Sequence, residues 1–284
     1  MSSRLHGVAV VNEGIAERGS YRAAGGELVQ VAEQLAAARA GTVSYPPQAL
    51  DALLRAGAPG PGPAGPGSAA GSAAVEVTAE GSIGAARRLV EAGAGRVGVL
   101  NFASARNPGG GYLRGARAQE EDLCRSALLY SCLLEAPDYY EAHRASGDLR
   151  YSHRVIVSPD VPVIRSEKGE LLARPYPVTF LTSPAPNAGQ LELRSAGVDV
   201  RGVLAERAVR VLAAAARHEI SALVLGAWGC GVFRNDPAQV AEAFEGALAQ
   251  YGAAFERVVF AVWDRTPVSP NRAAFEARFG AAVG

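Results

Sequence analysis

Apolar and polar positions recur along this chain with two different periods, and the changes between them mark its elements. In the first 55 residues a helical period dominates: Leu28, Val31, Ala32 and Leu35 follow the turn-like GSYRAAGGE at helical spacing, which predicts a largely helical segment. From residue 75 the pattern alternates. VEVTA (75–79) reads as a strand, SIGAARRLVEAGA (82–94) as a helix with Ser82 as N-cap, and RVGVLNFA (96–103) as a buried strand, together a βαβ unit. QEEDLCRSALLYSCLLEA (119–136) predicts one amphipathic helix with Leu123, Ala127, Tyr130 and Leu134 on a single face. Further strands are expected at 153–159, 177–186, 221–228 and 256–264, with helices at 201–218 and 237–251 and a short helix closing the chain. Strands alternating with helices of this length imply an α/β layered domain with a mainly parallel or mixed sheet.

Between these regions lies AGAPGPGPAGPGSAAGSAA, residues 56–74, built only from Gly, Pro, Ala and Ser. Such a segment has too little apolar surface to offset its backbone entropy, so it is expected to be a linker or loop between residues 1–55 and 75–284. At 284 residues the chain has room for one full-sized catalytic domain and an appendage.

Charge narrows the function classes. Lys plus Arg and Asp plus Glu both number 28, so no global basic field exists to hold a nucleic-acid backbone, and direct nucleic-acid binding is not expected. Cys124, Cys132 and Cys230 form no CxxC pair, which fits a reducing compartment. Cys124 and Cys132, eight residues apart, read as core residues sharing one helix face. His6, His143, His153 and His218 lack metal-ligand spacing, so neither a metal nor a cofactor is expected. The N-terminal apolar stretch is shorter than a signal peptide requires and no segment is long enough to span a bilayer; the expectation is a cytoplasmic protein with no membrane partner.

Two glycine-rich segments carry the candidate chemistry. In NPGGGYLRGARAQEE (Asn107 to Glu121), three successive glycines allow a backbone to approach a ligand closely, with N–H groups free for sugar or phosphate oxygens. Glu120, Glu121 and Asp122 emerge where that loop enters a helix. Acidic residues favour any first helical turn through the macrodipole, but the preceding loop makes a ligand site the stronger reading. The second segment, LGAWGCGVFRND (Leu225 to Asp236), follows a strand and precedes a helix that Asp236 can cap, with Pro237 at its first position. Gly226, Gly229 and Gly231 would make an anion cradle; the alternative is a glycine-rich turn with Trp228 and Phe233 in the core. It lacks the Gly-Lys-Ser/Thr ending of a Walker loop. Cys230 lies in this loop, but a nucleophilic role needs a His partner that the sequence does not place.

A glycine triplet followed at fixed spacing by Gln-Glu-Glu resembles the catalytic signature of poly(ADP-ribose) glycohydrolases. NFASARNPGGG resembles the short bacterial-type branch of that family, and YRAAGGELVQVAEQLAAARAGT its N-terminal extension. The resemblance implies a macrodomain-like three-layer α/β/α fold with a mixed central sheet and an N-terminal helical extension. It also implies hydrolysis of poly(ADP-ribose) on modified proteins, with ADP-ribose as product. Carried over by position, Glu121 matches the catalytic carboxylate and Glu120 the neighbour that holds a ribose hydroxyl. Gly109, Gly110 and Gly111 match the loop over the diphosphate and distal ribose. Gln119, and Asn107 or Ser104, fall among the substrate contacts. Gly226, Gly229, Cys230, Gly231 and Val232 match the diphosphate loop, and Phe233 the aromatic that packs on the ligand.

The ribose–ribose bond is an acetal, so its cleavage passes through an oxocarbenium-like state and needs a proton on the leaving oxygen. Adjacent helical residues lie about 100° apart around the axis, so Glu120 and Glu121 are not expected to flank the bond; one carboxylate should serve as acid and then base. A helix N-terminus favours ionised carboxylates, whereas clustered acids, burial and a bound diphosphate favour protonated ones, and the latter are expected to prevail with substrate present. A non-catalytic ADP-ribose reader would not need Gln-Glu-Glu; a hydrolase of other ADP-ribose adducts would share both loops. Within the polymer, attack is expected mainly at chain ends, with Arg265 in WDRTPVSPNR placed to hold a phosphate or ribose.

Overall fold

The computed structural model describes residues 3–58, 73–194 and 197–280. In chain order its elements are α1 (Ser3–Arg18), β1 (Ser20–Arg22), β2 (Leu28–Gln30), α2 (Ala32–Ala40), β3 (Val43–Tyr45) and α3 (Pro47–Ala56). After the segment expected as a linker, of which residues 59–72 lie outside the described residues, come β4 (Ala74–Thr78), α4 (Ser82–Glu91), β5 (Val97–Phe102), α5 (Gln119–Ser126), α6 (Leu129–Leu133) and α7 (Pro137–Ala145). Then follow β6 (Val155–Arg165), β7 (Leu171–Ser183), α8 (Ala188–Arg194), α9 (Val200–Arg217), β8 (Ala222–Leu225), α10 (Pro237–Tyr251), β9 (Arg257–Ala261) and α11 (Pro270–Phe279).

Seven strands pair in the order β3-β6-β7-β5-β8-β9-β4. The five strands from β7 to β4 run parallel, whereas β6 is antiparallel to both β7 and β3. Alternation along the strands sends side chains into two cores. Val97 and Val99 of β5, Ala222 and Val224 of β8 and Val259 of β9 enter the core under α1, α2 and α4–α7. Leu100, Leu223, Leu225, Val258 and Phe260 enter the opposite core, under α3, α9, α10 and α11. Burial on both faces explains why the strands read as continuous apolar runs, and it gives the three-layer α/β/α arrangement with a mixed sheet.

The structure revises several local readings. Leu28 belongs to β2, paired with β1, and only Ala32 and Leu35 continue into a helix. The first 55 residues carry α1–α3 and also supply β3, the edge strand of the main sheet. The helix expected over 119–136 is broken: Ala127 turns extended (φ −119°, ψ 161°) and bridges to Val163, so Cys124 and Cys132 lie on separate short helices, both buried. Leu134 is exposed rather than packed. Gly81, not Ser82, is the cap of α4. Asp236 does cap α10, accepting from the Ala238 N–H at 2.9 Å, with Pro237 in the first turn. No helix of the described residues is long and apolar enough to cross a membrane.

Candidate active site

Because β5 and β8 are parallel neighbours, the loops that follow them, 103–118 and 226–236, leave the same edge of the sheet, where α/β folds bind ligands. Strand β6 runs the other way, so the residues before it, 151–154, arrive at that edge as well.

The first loop closes over the start of α5. Gly109 and Gly110 both take positive φ, +62° and +58°, which side-chain-bearing residues rarely adopt. A Cβ built on Gly110 would lie 2.5 Å from Glu121 Oε1 and 3.1 Å from Glu120 Oε2, so only glycine lets the loop pass this closely over both carboxylates. The next residue, Gly111, donates its N–H to Glu121 Oε1 at 2.8 Å. The other Glu121 oxygen, Oε2, is buried and has no partner among the described residues.

Glu120 lies deeper, 2 % exposed. Its Oε2 accepts from the Ser104 N–H at 2.7 Å and its Oε1 from Asn101 Nδ2 at 3.2 Å. Asn101 also donates to Thr182 Oγ1 at 3.1 Å, which ties the carboxylate to both β5 and β7. Burial pushes the Glu120 carboxyl up to about 8; the Ser104 and Asn101 bonds oppose that, and the charge of Glu121 adds to it.

Both ends of the Gln119 amide, expected among the substrate contacts, are bonded within the protein. Its Oε1 accepts from the Phe102 N–H at 2.9 Å, while Nε2 donates to Leu100 O at 2.8 Å and Ser82 Oγ at 3.2 Å. Its amide therefore mimics a neighbouring strand at the end of β5 and fixes where α5 begins. Asn107 is exposed, and its backbone N–H donates to Ser104 Oγ at 3.2 Å.

The second loop is tied down mainly by its own side chains. Trp228 is fully buried and donates Nε1–H to Ser183 O at 3.1 Å. Asn235 Nδ2 donates to Pro186 O at 2.9 Å and Gly229 O at 3.2 Å. Gly226 packs against β9, where a Cβ would sit 2.6 Å from Ala261 O. Between these anchors Gly231 and Val232 are exposed, and Phe233 is half-buried with its ring 6.0 Å from that of Tyr151. Trp228 is thus a core residue while Phe233 stands at the rim. Burial pushes the Cys230 thiol up to about 12, so it is no ready nucleophile.

Sequence reasoning missed Asn101, Tyr151 and Arg207. An asparagine inside the apolar run VGVLNF needs a buried partner, and that was the available signal. Tyr151 holds a positive φ of 57° at the site edge. Arg207, buried on α9, donates to Pro184 O and Arg150 O, both at 2.7 Å, and to Tyr151 O at 3.2 Å; it fixes the loops on either side of the β6–β7 ends. Among the described residues no three metal-ligating side chains gather into a cluster.

The chain as a whole is similar to known proteins. The family model of the microbial-type PARG catalytic domain matches residues 11–166. No curated protein matches the chain. Poly(ADP-ribose) glycohydrolase from Thermomonospora curvata, solved with the inhibitor ADP-HPD, is 46% identical over 98% of this chain and 100% of its own, with a TM-score of 0.88. The Deinococcus radiodurans enzyme in complex with ADP-ribose is 44% identical over 86% of this chain and 96% of its own, with a TM-score of 0.77. Carrying the family's match across more than half its length and its macrodomain-like fold almost end to end, this chain belongs to the microbial-type poly(ADP-ribose) glycohydrolases.

Proposed function

We propose that the protein hydrolyses the ribose–ribose O-glycosidic bond of poly(ADP-ribose) carried on modified proteins, with Glu121 as acid and base. The observation that carries this reading is the Glu121 carboxylate at the sheet edge where the two glycine-rich loops emerge: one oxygen is held by Gly111 N–H, and the other is buried without a partner among the described residues. A buried, unpaired carboxylate oxygen is costly in a resting fold and calls for a partner supplied by the ligand.

In the proposed reaction Glu121 delivers a proton to the leaving hydroxyl oxygen as the bond to the anomeric carbon breaks. Positive charge develops on the ribose ring, next to the Glu121 carboxylate, ionised by that transfer, and the ligand's own diphosphate. Water then adds its oxygen to the anomeric carbon and gives its proton back to Glu121, which restores the enzyme. Glu120, whose carboxyl burial pushes up to about 8, is suited to holding a ribose hydroxyl in its uncharged form. The backbone N–H groups of residues 231–233 are assigned to the diphosphate and Phe233 to packing on the ligand. Gln119 acts at one remove, by placing α5.

Attack is assigned mainly to chain ends, releasing ADP-ribose, in keeping with the bacterial-type likeness. The segment after β9, with Arg265, leaves the same edge of the sheet and would close the distal side. Three free cysteines fit a cytoplasmic setting. The test resolves early products from a long, end-labelled polymer: monomer with gradually shortening chains is expected. Free oligomers preceding monomer would overturn end attack, and no cleavage at all would overturn the activity.

A further inference from the structure

Helix α1 belongs to none of the loops that form the site, yet it bonds both the last turn of α5 and the glycine loop that covers its first turn. Asn12 is fully buried and donates Nδ2–H to Arg125 O at 2.8 Å and to Cys124 O at 3.3 Å, carbonyls in the last turn of α5. Its Oδ1 accepts from Arg165 Nε on β6 at 2.9 Å, so the amide is fixed from the sheet side. One turn of α1 reaches the glycine loop instead. Tyr112, next to the Gly111 that holds Glu121, is buried and donates its hydroxyl to Glu13 Oε1 at 3.0 Å. Nearer the start of the helix, His6 Nδ1 donates to Leu113 O at 2.7 Å. His6 and Glu13 are seven residues apart, two helical turns, and so share one face. The family match begins at residue 11, inside α1, so Asn12 and Glu13 fall within it.

We infer that α1 is a clamp, with Asn12 and Glu13 as positioning residues that set the Gly111–Glu121 bond and thereby the aim of the catalytic carboxylate. The geometry requires such a device. Helix α5 has only eight residues and breaks at Ala127, so it is too short to hold its own orientation by burial alone. Its first turn carries the reacting carboxylate and its last turn is fastened by Asn12. The loop that covers the carboxylate is fastened by Glu13 through Tyr112. Release of either end lets Glu121 move relative to Gly111, and a misplacement on the order of 1 Å is enough to cost about 10²-fold in rate. The 226–236 loop makes none of these bonds, so the ligand affinity that it supplies should be spared.

The inference rests on the assignment of Glu121 and is tested beside it. Asn12→Ala, Glu13→Ala, Glu13→Gln and Glu121→Gln are compared for kcat and KM on short poly(ADP-ribose), ADP-ribose affinity by calorimetry, and thermal unfolding. Asn12→Ala and Glu13→Ala should each lower kcat by roughly ten- to hundred-fold, with KM and ADP-ribose affinity within about three-fold of the parent. Glu13→Gln keeps an acceptor for the Tyr112 hydroxyl and should recover most of the rate. Should Asn12→Ala prove too unstable to assay, the Glu13 pair and Tyr112→Phe carry the test. Lowered unfolding temperature with kcat per folded molecule unchanged, alongside an inactive Glu121→Gln, would overturn the clamp. An active Glu121→Gln would instead overturn the assignment beneath it.

Discussion

The two glycine-rich loops of the site have similar composition and opposite physical demands. In the 103–118 loop, glycine at 110 is required by the chemistry beside it: a side chain there would strike Glu121 and Glu120. In the 226–236 loop, Gly226 and Gly229 are required by the loop's own packing, Gly226 against Ala261 O and Gly229, at φ +73°, against Asn235 and Ala185. Gly231 has open space around it. One loop is therefore shaped around the carboxylates and held from outside, by α1 and by Arg125, whose Nη1 donates to Ala116 O at 2.8 Å. The other is built to stand by itself and to present its outer backbone. This divides the labour: turnover should be sensitive in the first loop, stability and affinity in the second.

The strongest test of that division is Glu121→Gln, which keeps size and the Gly111 bond but cannot transfer the proton. It should reduce turnover by about 10² to 10⁴-fold with ADP-ribose affinity largely intact, as read from single-turnover rates and calorimetry. More than about a tenth of the parent rate remaining would remove Glu121 from its role. Gly110→Ala comes next. The added methyl meets Glu121 Oε1 and also pays the strain of a positive φ, which costs on the order of 1 kcal/mol. Turnover should fall at least about ten-fold while the unfolding temperature drops only slightly. A loop of purely surface character would show neither effect on turnover.

The Gln-Glu-Glu element and its glycine loop were legible because chemistry imposed an ordered pattern on consecutive residues. The central strands were legible because burial on both faces makes their inner stretches, VGVL (97–100) and VVFA (258–261), apolar throughout. What escaped depends on partners distant in sequence. Gln119 sits inside the motif, yet the direction of its amide is set by Leu100 and Phe102 on β5. The break at Ala127 arises from its bridge to Val163, which no local period reveals. Strand β3 has three residues, too few for a period of two to register, and is defined only by pairing with β6. Asn12 on α1 carried a usable signal, a polar residue at an inward position, but its partners lie more than a hundred residues away.

Acid–base linkage sharpens the first loop further. Glu120 in the folded protein keeps its proton up to about 8, whereas the unfolded chain releases it near 4.5. Between those values the folded state binds more protons than the unfolded one. The contribution to stability is then complete below 4.5 and is lost as pH rises towards 8, by at most about 1.4 kcal/mol per pH unit. Glu120→Gln has no such proton. Denaturant titrations at pH 5 and pH 8 should show the parent losing stability relative to the variant across that interval. Parallel pH dependence of the two proteins would mean that Glu120 is already ionised in the fold.

In the second loop the expected effects are on stability and affinity. Gly229→Ala places a methyl 2.3 Å from Asn235 Nδ2 and 2.5 Å from Ala185 Cβ, so the unfolding temperature should fall by several degrees, roughly 1–3 kcal/mol. Gly231→Ala, with nothing within 4 Å, should leave stability unchanged. Equal losses in both would show that the loop is uniformly packed and not anchored at particular points.

The smallest effect belongs to Phe233. Its ring is half-buried and makes a tilted contact with Tyr151 at 6.0 Å, so it is neither a core residue like Trp228 nor free in solvent. The Tyr151 backbone is fixed by Arg207 and held at a positive φ, which gives Phe233 a rigid neighbour and a defined place at the rim. An aromatic side chain so placed contributes contact area to a ligand and no proton, charge or nucleophile to the reaction. Aromatic contacts of this kind are worth about 0.5–1.5 kcal/mol, so Phe233→Ala should raise KM by roughly two- to ten-fold. It should leave kcat near the parent value, because binding lost equally from ground and transition states does not change the chemical step. Steady-state kinetics on short polymer, with ADP-ribose affinity measured in parallel, separates the two quantities. If kcat falls as far as KM rises, Phe233 holds the ribose in its reacting pose, and the second loop then shares the work that the comparison reserves for the first.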